Sequence, residues 1–132
     1  NYVKIVNIEA LTMLDMAHKD ILPAMSAYSK ELADAALEKK KLSEDIDTTY
    51  ETETVKALGN LLGNTYSNVR KLESDLYTAK SITSSVELAD YYKDFILADM
   101  SALRASADEM ETMASSEKWP YPSYGDLLFG VR

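Results

Sequence analysis

Cysteine is absent from this chain of 132 residues, which excludes disulfide bonds and thiolate chemistry. Proline and glycine are scarce, with three and four residues respectively. Because these two residue types disfavour helix most strongly, their scarcity predicts a helical domain. A cysteine-free chain is also typical of a reducing compartment, and we expect a cytoplasmic protein.

Long hydrophobic runs and basic surfaces are also lacking. No segment approaches the run of about 18 apolar residues that spans a bilayer, and the N-terminal region has no signal-peptide pattern. The formal net charge is −8, and the only basic run is residues 39–41. Nucleic acids and anionic membranes attract basic faces, so we expect neither as a partner. The three lysines are expected at a helix C-terminus, where cations complement the helix dipole.

Apolar residues recur at steps of three and four along three stretches, which predicts three long amphipathic helices at residues 3–42, 50–80 and 85–116. The connections are short and polar, so neighbouring helices must run antiparallel. The predicted fold is an all-α antiparallel bundle over residues 1–116. The predicted seams are Leu11, Leu14, His18, Ile21, Met25, Tyr28, Leu32, Ala35 and Leu42; Val55, Leu58, Leu62, Thr65, Val69, Leu72, Leu76 and Ala79; and Tyr92, Ile96, Met100, Leu103, Ala107, Met110 and Ala114.

Pro23 lies in the middle of the first predicted helix. An interior proline removes one backbone hydrogen bond and costs about 3 kcal/mol. The apolar seam keeps its phase on both sides of this residue, so we expect a kink. A complete break there would give a bundle of four helices.

Local patterns refine the second and third helices. Thr48 with Glu51, and Ser84 with Glu87, have the spacing of capping boxes. Gly59 and Gly63 lie four residues apart inside the second helix, which predicts close approach of another element, with a hinge or ligand contact as the alternative.

The last sixteen residues, 117–132 (EKWPYPSYGDLLFGVR), differ in character from the helices. Two prolines separated by one residue stop the third helix and predict an extended tail. The tail is too aromatic to remain solvated, so we expect it to pack on the bundle or on a larger body. Its predicted docking residues are Trp119, Tyr121, Tyr124, Leu127, Leu128 and Phe129.

Catalytic and metal-binding patterns are weak. A di-iron bundle needs two Glu-x-x-His motifs, whereas Asp15 with His18 supplies one related pair, and His18 is the only histidine. We interpret His18 as a packed, hydrogen-bonded core residue. A single histidine leaves one possible base for a serine nucleophile, and no glycine-rich phosphate loop follows a strand. We therefore assign no catalytic, cofactor-binding or metal-binding residue in this chain.

Three blocks of the sequence resemble the C-terminal region of type III glutamine synthetases, the large bacterial form. Residues 9–33 contain DILPA from Asp20, followed by Tyr28 and by Glu31. Residues 88–111 form the second block, and the third, residues 119–129, reads WPYPSYGDLLF. The resemblance covers the whole chain, and its first and third blocks are the most specific.

The resemblance implies a parent enzyme that joins ammonia to glutamate with ATP and a divalent metal such as Mg²⁺, in a homo-oligomeric ring. The family's catalytic motifs belong to an α/β body that would precede this chain. We expect this piece to be inactive alone and to have a structural or assembly role, with the catalytic body of the same polypeptide as partner; a regulatory effect on that body stays open. The alternative is a free-standing helical adapter or sensor bundle. The start at Asn1 rather than methionine favours a piece of a longer polypeptide.

Overall fold

The structure is a computed structural model that describes residues 1–122. Three long helices account for most of these residues, and none of them forms a strand. Helix α1 covers residues 2–42 and consists of an α-helical segment Tyr2–Met16, a π-helical turn Ala17–Ile21 and an α-helical segment Leu22–Leu42. Helix α2 is Thr49–Ala79. Helix α3 covers residues 85–113 and has its own π-helical turn, Tyr92–Ile96, between Ser85–Tyr91 and Leu97–Met113.

Contacts between side chains establish the antiparallel order of neighbouring helices. Lys39 near the end of α1 pairs with Glu51 at the start of α2, whereas His18 reaches Glu73 near the end of α2. Between α2 and α3 the same reversal occurs, because Asn68 contacts Ser106 and the Tyr91 hydroxyl donates to the Asp75 carbonyl oxygen. The prediction of an all-α antiparallel bundle is confirmed.

The bundle has two hydrophobic clusters along its length. The first joins the N-terminal part of α1 to the C-terminal half of α2 and to α3, and the second lies around the C-terminal half of α1. The first contains Val6, Ala10, Leu14, Ala17, Val69, Leu72, Leu76, Ala79, Tyr92, Ile96, Met100 and Leu103; the second contains Ile21, Met25, Tyr28, Leu58, Leu61 and Met110.

The predicted seam of α1 is wrong at three positions. Leu11 and Leu42 are exposed, and so is His18, which therefore is not a core residue. The buried face instead includes two small residues, Ala10 and Ala17. Alanine lets neighbouring helices approach closely, so a small side chain fills the core position here and the larger Leu11 faces outward.

The helix does not break at Pro23. The irregularity lies just before it, where the backbone N–H of Leu22 bonds to the Ala17 carbonyl five residues earlier, the hydrogen bond of a π-helical turn. Pro23 is the second residue of the following α-helical segment, so the residue that lacks an N–H comes directly after the wider π-helical turn. The first helix therefore stays continuous, as its seam predicts.

Two other local predictions have different outcomes. Ser84 caps α3 by accepting a bond from the Glu87 N–H at 3.3 Å, as predicted. Thr48 makes no capping bond, because Asp47 accepts the Thr49 N–H at 2.9 Å in its place and Glu51 pairs with Lys39. The lysines of residues 39–41 lie in the last turn of α1, as predicted.

The glycine prediction is wrong. Gly59 and Gly63 are both exposed, and a Cβ added at either position would meet nothing within 4 Å. Within the described part of the chain, no other element approaches the backbone of α2 at these positions.

Candidate docking site

The chain reverses direction after α3 through a hydrogen-bonded turn. Ala114 has an extended backbone, and the N–H groups of Lys118 and Trp119 both bond to the Ser115 carbonyl, at 2.9 and 3.1 Å. The Glu117 N–H also approaches the Ser115 hydroxyl at 3.3 Å. This turn directs Trp119 and the following residues back toward the bundle instead of away from it.

Trp119 and Tyr121 are half-buried against the second hydrophobic cluster. An ion pair beside them, between Lys118 Nζ and Glu31 Oε1 at 3.2 Å, joins the turn to α1. Both ends of this pair are about half exposed, so it adds little stability on its own. The apolar contacts of the two aromatic rings therefore hold this part of the tail.

Tyr121 has a polar partner in the π-helical turn of α1. Its hydroxyl donates a hydrogen bond of 2.5 Å to Asp20 Oδ2. Burial raises the pKa of Tyr121 to about 12, and the hydrogen bond to the Asp20 carboxylate and its negative charge act in the same direction. The phenol thus remains a neutral donor to a carboxylate across the ordinary pH range.

A groove of about 360 Å³ lies where the tail meets α1 and α3. The tail supplies one wall, α1 supplies residues around its π turn, and α3 supplies a wall with an apolar base and charged rim. Its lining residues are Met13, Met16, Ala17, Ile21, Leu103, Arg104, Ala107, Asp108, Glu111, Trp119, Tyr121 and Pro122. The arrangement can hold an apolar segment of chain, and the described part of the protein ends at this groove with Pro122.

The predicted docking residues divide into two sets. Trp119 and Tyr121 lie together at the groove, whereas Tyr124, Leu127, Leu128 and Phe129 lie outside the described residues. Asp20 was missed as a partner, although the resemblance placed it in a specific block. The aromatic spacing identified the docking residues, but a single exposed aspartate in a helix carries no signal of a contact across the bundle.

A second polar cluster, also missed, lies between α2 and α3. Lys71 Nζ is 2.7 Å from Asp75 Oδ2 and 3.5 Å from Asp99 Oδ1. Asp99 is buried, and its Oδ2 has no hydrogen-bond partner in the described structure. Burial raises the pKa of Asp99 to about 6, with the neighbouring Asp75 adding to the effect, while hydrogen bonding lowers the pKa of Asp75.

The Asp15 and His18 pair does not form a shared site. Asp15 Oδ1 pairs with Lys19 Nζ at 2.8 Å, and His18 Nε2 lies 3.0 Å from Glu73 Oε2. Across residues 1–122 no group of three or more histidine, cysteine, aspartate or glutamate side chains is close enough to hold a metal ion. These residues therefore do not fit the divalent metal that the resemblance implies for a parent enzyme. No helix among the same residues combines the length and apolar character needed to span a membrane.

The fold and the groove define an all-helical domain with an aromatic segment docked on its surface. Comparison with known proteins gives the family. A profile described as "Glutamine synthetase C-terminal domain" matches residues 1–40. The chain is also 36% identical, over all of its 132 residues, to a glutamine synthetase of Butyrivibrio fibrisolvens. By these similarities the chain belongs to the C-terminal region of the glutamine synthetases.

Two more distant relatives agree. A "Type-3 glutamine synthetase" of Dictyostelium discoideum and a glutamine synthetase of Bacteroides fragilis are each 24% identical over 97% of the chain. The chain spans only 19% of the length of the Butyrivibrio protein and 18% of each of the other two. It corresponds to a small part of proteins that are about five times longer.

Proposed function

We propose that this chain is the non-catalytic C-terminal helical domain of a type III glutamine synthetase, and that it braces and helps to assemble the enzyme. The parent joins ammonia to glutamate with ATP and Mg²⁺, which the remainder of the polypeptide binds. The enzyme is a cytoplasmic homo-oligomer. One relative that carries the type-3 name, together with similarity over the whole chain, supports this assignment.

One observation carries the bracing role. The aromatic tail folds back on its own bundle at Trp119 and Tyr121, so the segment that follows starts from a fixed point beside an apolar groove. A segment that starts from an anchored point loses less entropy on docking than a free tail does. We expect the apolar residues 127–129, which lie outside the described residues, to tie the domain to the catalytic body of the same polypeptide or to a neighbouring subunit.

The experiment compares the full-length enzyme with a variant that lacks residues 119–132. We expect the deletion to lower the melting temperature and weaken the oligomer, while the KM for glutamate in the remaining assembled enzyme stays unchanged. Glutamine formation, thermal unfolding and mass in solution measure the three quantities. Equal assembly, melting temperature and specific activity in both proteins would refute the bracing role.

Single substitutions separate the effect of the Trp119 side chain from the effect of shortening the chain. Tyr66→Ala removes a tyrosine side chain that is 48% exposed on α2 and does not line the groove at the tail, and it should leave assembly intact. Trp119→Ala removes the half-buried anchor and should reproduce part of the deletion. If both variants behave alike, the anchoring by Trp119 is not what matters.

A further inference from the structure

Large apolar side chains are exposed at every third position near the start of α1. Tyr2, Ile5, Ile8 and Leu11 are 45, 58, 64 and 52% exposed, respectively. At a rise of about 1.5 Å per residue they span roughly 14 Å of helix. They wind diagonally across the side of α1 that faces away from Val6, Ala10 and Leu14 in the core. We call these four side chains the N-terminal ridge.

The ridge continues into a groove that α1, α2 and the start of α3 line together. Leu11 lines this groove of about 540 Å³ together with Asn7, Glu73, Tyr77 and Lys80. Tyr77 is itself 75% exposed. The described structure thus presents an apolar ridge and a neighbouring concave surface that join at Leu11.

Single exposed apolar residues are ordinary, but a contiguous group marks an interaction surface. Few charges interrupt this one: Lys4 and Glu9 have opposite signs, and the Thr12 hydroxyl bonds back to the Ile8 carbonyl at 3.0 Å. A surface without strong charge of either sign favours an apolar protein partner over an ionic one.

The relatives indicate which partner. The chain aligns over its whole length with 19% of the Butyrivibrio glutamine synthetase, and its first 40 residues match a family named for a C-terminal position. Most of such a protein therefore precedes residue 1. The ridge lies at residues 2–11, the part of this sequence nearest to the preceding one along the chain, so the preceding domain is the first protein surface to consider as its partner.

We propose that the N-terminal ridge docks against the preceding domain of the same polypeptide and fixes the orientation of α1 relative to it. This inference rests on the proposed function, because it requires a preceding domain. It assigns the ridge a contact separate from that of the aromatic tail. Two surfaces at different places on the bundle then hold the helical domain, one from each end of its sequence.

Site-specific photo-crosslinking in the full-length enzyme tests the proposal. A benzoylphenylalanine replaces Ile8 in one variant and Leu37 in the other; both side chains are 64% exposed on α1, so exposure is matched. We expect the probe at position 8 to give several-fold more cross-link than the probe at position 37. The product should keep the mass of one polypeptide, and peptide mapping should place the link in sequence that precedes residue 1.

Three results would overturn the proposal. Equal cross-linking at the two positions would mean that the ridge is uncovered. A product with the mass of two polypeptides would assign the surface to a second copy of the chain, and a link to an unrelated protein would assign it to an external partner. Each of these outcomes excludes docking on the same polypeptide.

Substitution gives an independent measurement. Ile8→Ser should lower the melting temperature of the full-length enzyme by several degrees, whereas Leu37→Ser should not, because only Ile8 loses a buried contact. Glutamine formation by the unmodified enzyme tests the parent activity separately. An active synthetase with no preferential link at position 8 refutes only the ridge, whereas an inactive parent with that link refutes only the proposed function.

Discussion

Tyr121 and Asp20 are 101 positions apart in the chain, yet the Tyr121 hydroxyl donates a hydrogen bond of 2.5 Å to the Asp20 carboxylate. Asp20 lies in the π-helical turn of α1, and Tyr121 lies in the segment that follows α3. The bond therefore closes the bundle by joining its first helix to its last described residues. Hydrogen bonds to a charged acceptor are stronger than neutral ones.

Removing this hydrogen bond should destabilise the protein. We expect Tyr121→Phe to lower the free energy of unfolding by about 1.5–3 kcal/mol, the usual contribution of a hydrogen bond to a charged group. Urea denaturation at pH 8 measures the loss. Tyr77→Phe is the control, because that side chain is 75% exposed and should show no change. A loss of equal size in both variants would show that the bond to Asp20 is not responsible.

The same bond predicts a change in stability at high pH. The pKa of Tyr121 is raised from 10.0 to about 12 in the folded protein. The unfolded chain releases this proton first, so the stabilisation is complete below pH 10 and is lost as the pH rises through 12. The gap in stability between wild type and Tyr121→Phe should therefore narrow over that interval. A gap that stays constant would contradict the raised pKa.

Asp99 predicts a pH effect at the acidic end. Its pKa is raised from the ordinary value of 3.8 to about 6 in the folded protein. Between these pH values the folded protein binds more protons than the unfolded chain. The contribution of Asp99 to stability therefore falls as the pH rises. Asp99→Asn keeps the shape without the charge, and at pH 7.5 it should stabilise the protein by about 1–3 kcal/mol. This gain should shrink as the pH falls from 6 toward 4.

Asp108→Asn is the control for that measurement, because Asp108 is exposed and its contact with Arg104 is 4.0 Å long. We expect it to change stability little at any pH. If Asp99→Asn instead destabilises the protein at pH 7.5, the ion pair with Lys71 outweighs the cost of burying the carboxylate.

Core substitutions follow the observed burial. Leu58→Ala and Leu103→Ala should each cost about 2–5 kcal/mol, because both side chains are buried and their removal leaves a cavity. Leu62→Ala should cost less, since Leu62 is only half-buried. Exposed Glu87 and Glu109 should tolerate alanine within about 0.5 kcal/mol. Equal losses at buried and exposed sites in urea titrations would contradict the helical phases.

The exposed glycines of α2 should tolerate side chains. Gly59→Ala and Gly63→Ala should each raise the free energy of unfolding by about 0.5–1 kcal/mol, because alanine favours helix and its Cβ meets no neighbour. Circular dichroism during thermal unfolding of the 132-residue chain measures this gain. A loss of stability there would mean that the space beside these glycines is filled.

The sequence predicted helix boundaries well because strong helix formers and few breakers leave little ambiguity. It predicted burial less well, and α3 shows why. Tyr92, Ile96, Met100, Leu103 and Met110 are buried as the seam predicts, but Asp99 and Ser106 are buried as well. The apolar pattern alone missed these two polar residues and selected Ala107, which is only half-buried. The polar residues are accepted in the core because Lys71 and Asn68 on α2 contact them.

The docking site also has one part that the sequence predicted and one part that it did not. Aromatic residues beside prolines predicted a docking segment, and the packing of Trp119 and Tyr121 on the bundle follows from that local composition. The contact with Asp20 could not be predicted, because it depends on how the segment that follows α3 packs across α1, 101 positions away in the chain. Such long-range geometry arises from the packed bundle and leaves no mark on residue spacing.

The π-helical turn of α1 also constrains how this domain can vary by insertion and deletion. A π turn holds one more residue than an α-helical turn, so deleting a single residue from Ala17–Ile21 would restore regular helix. The wider turn takes up its extra residue with nearly the same rotation as a regular turn, so the segments before and after it would keep their facing. Val6 and Ala10 would stay in the core, whereas a one-residue deletion within Leu22–Leu42 would rotate the helix before it by roughly 100° relative to the helix after it. The π turn is therefore the place in α1 where the chain can lose one residue without changing the face that packs inward.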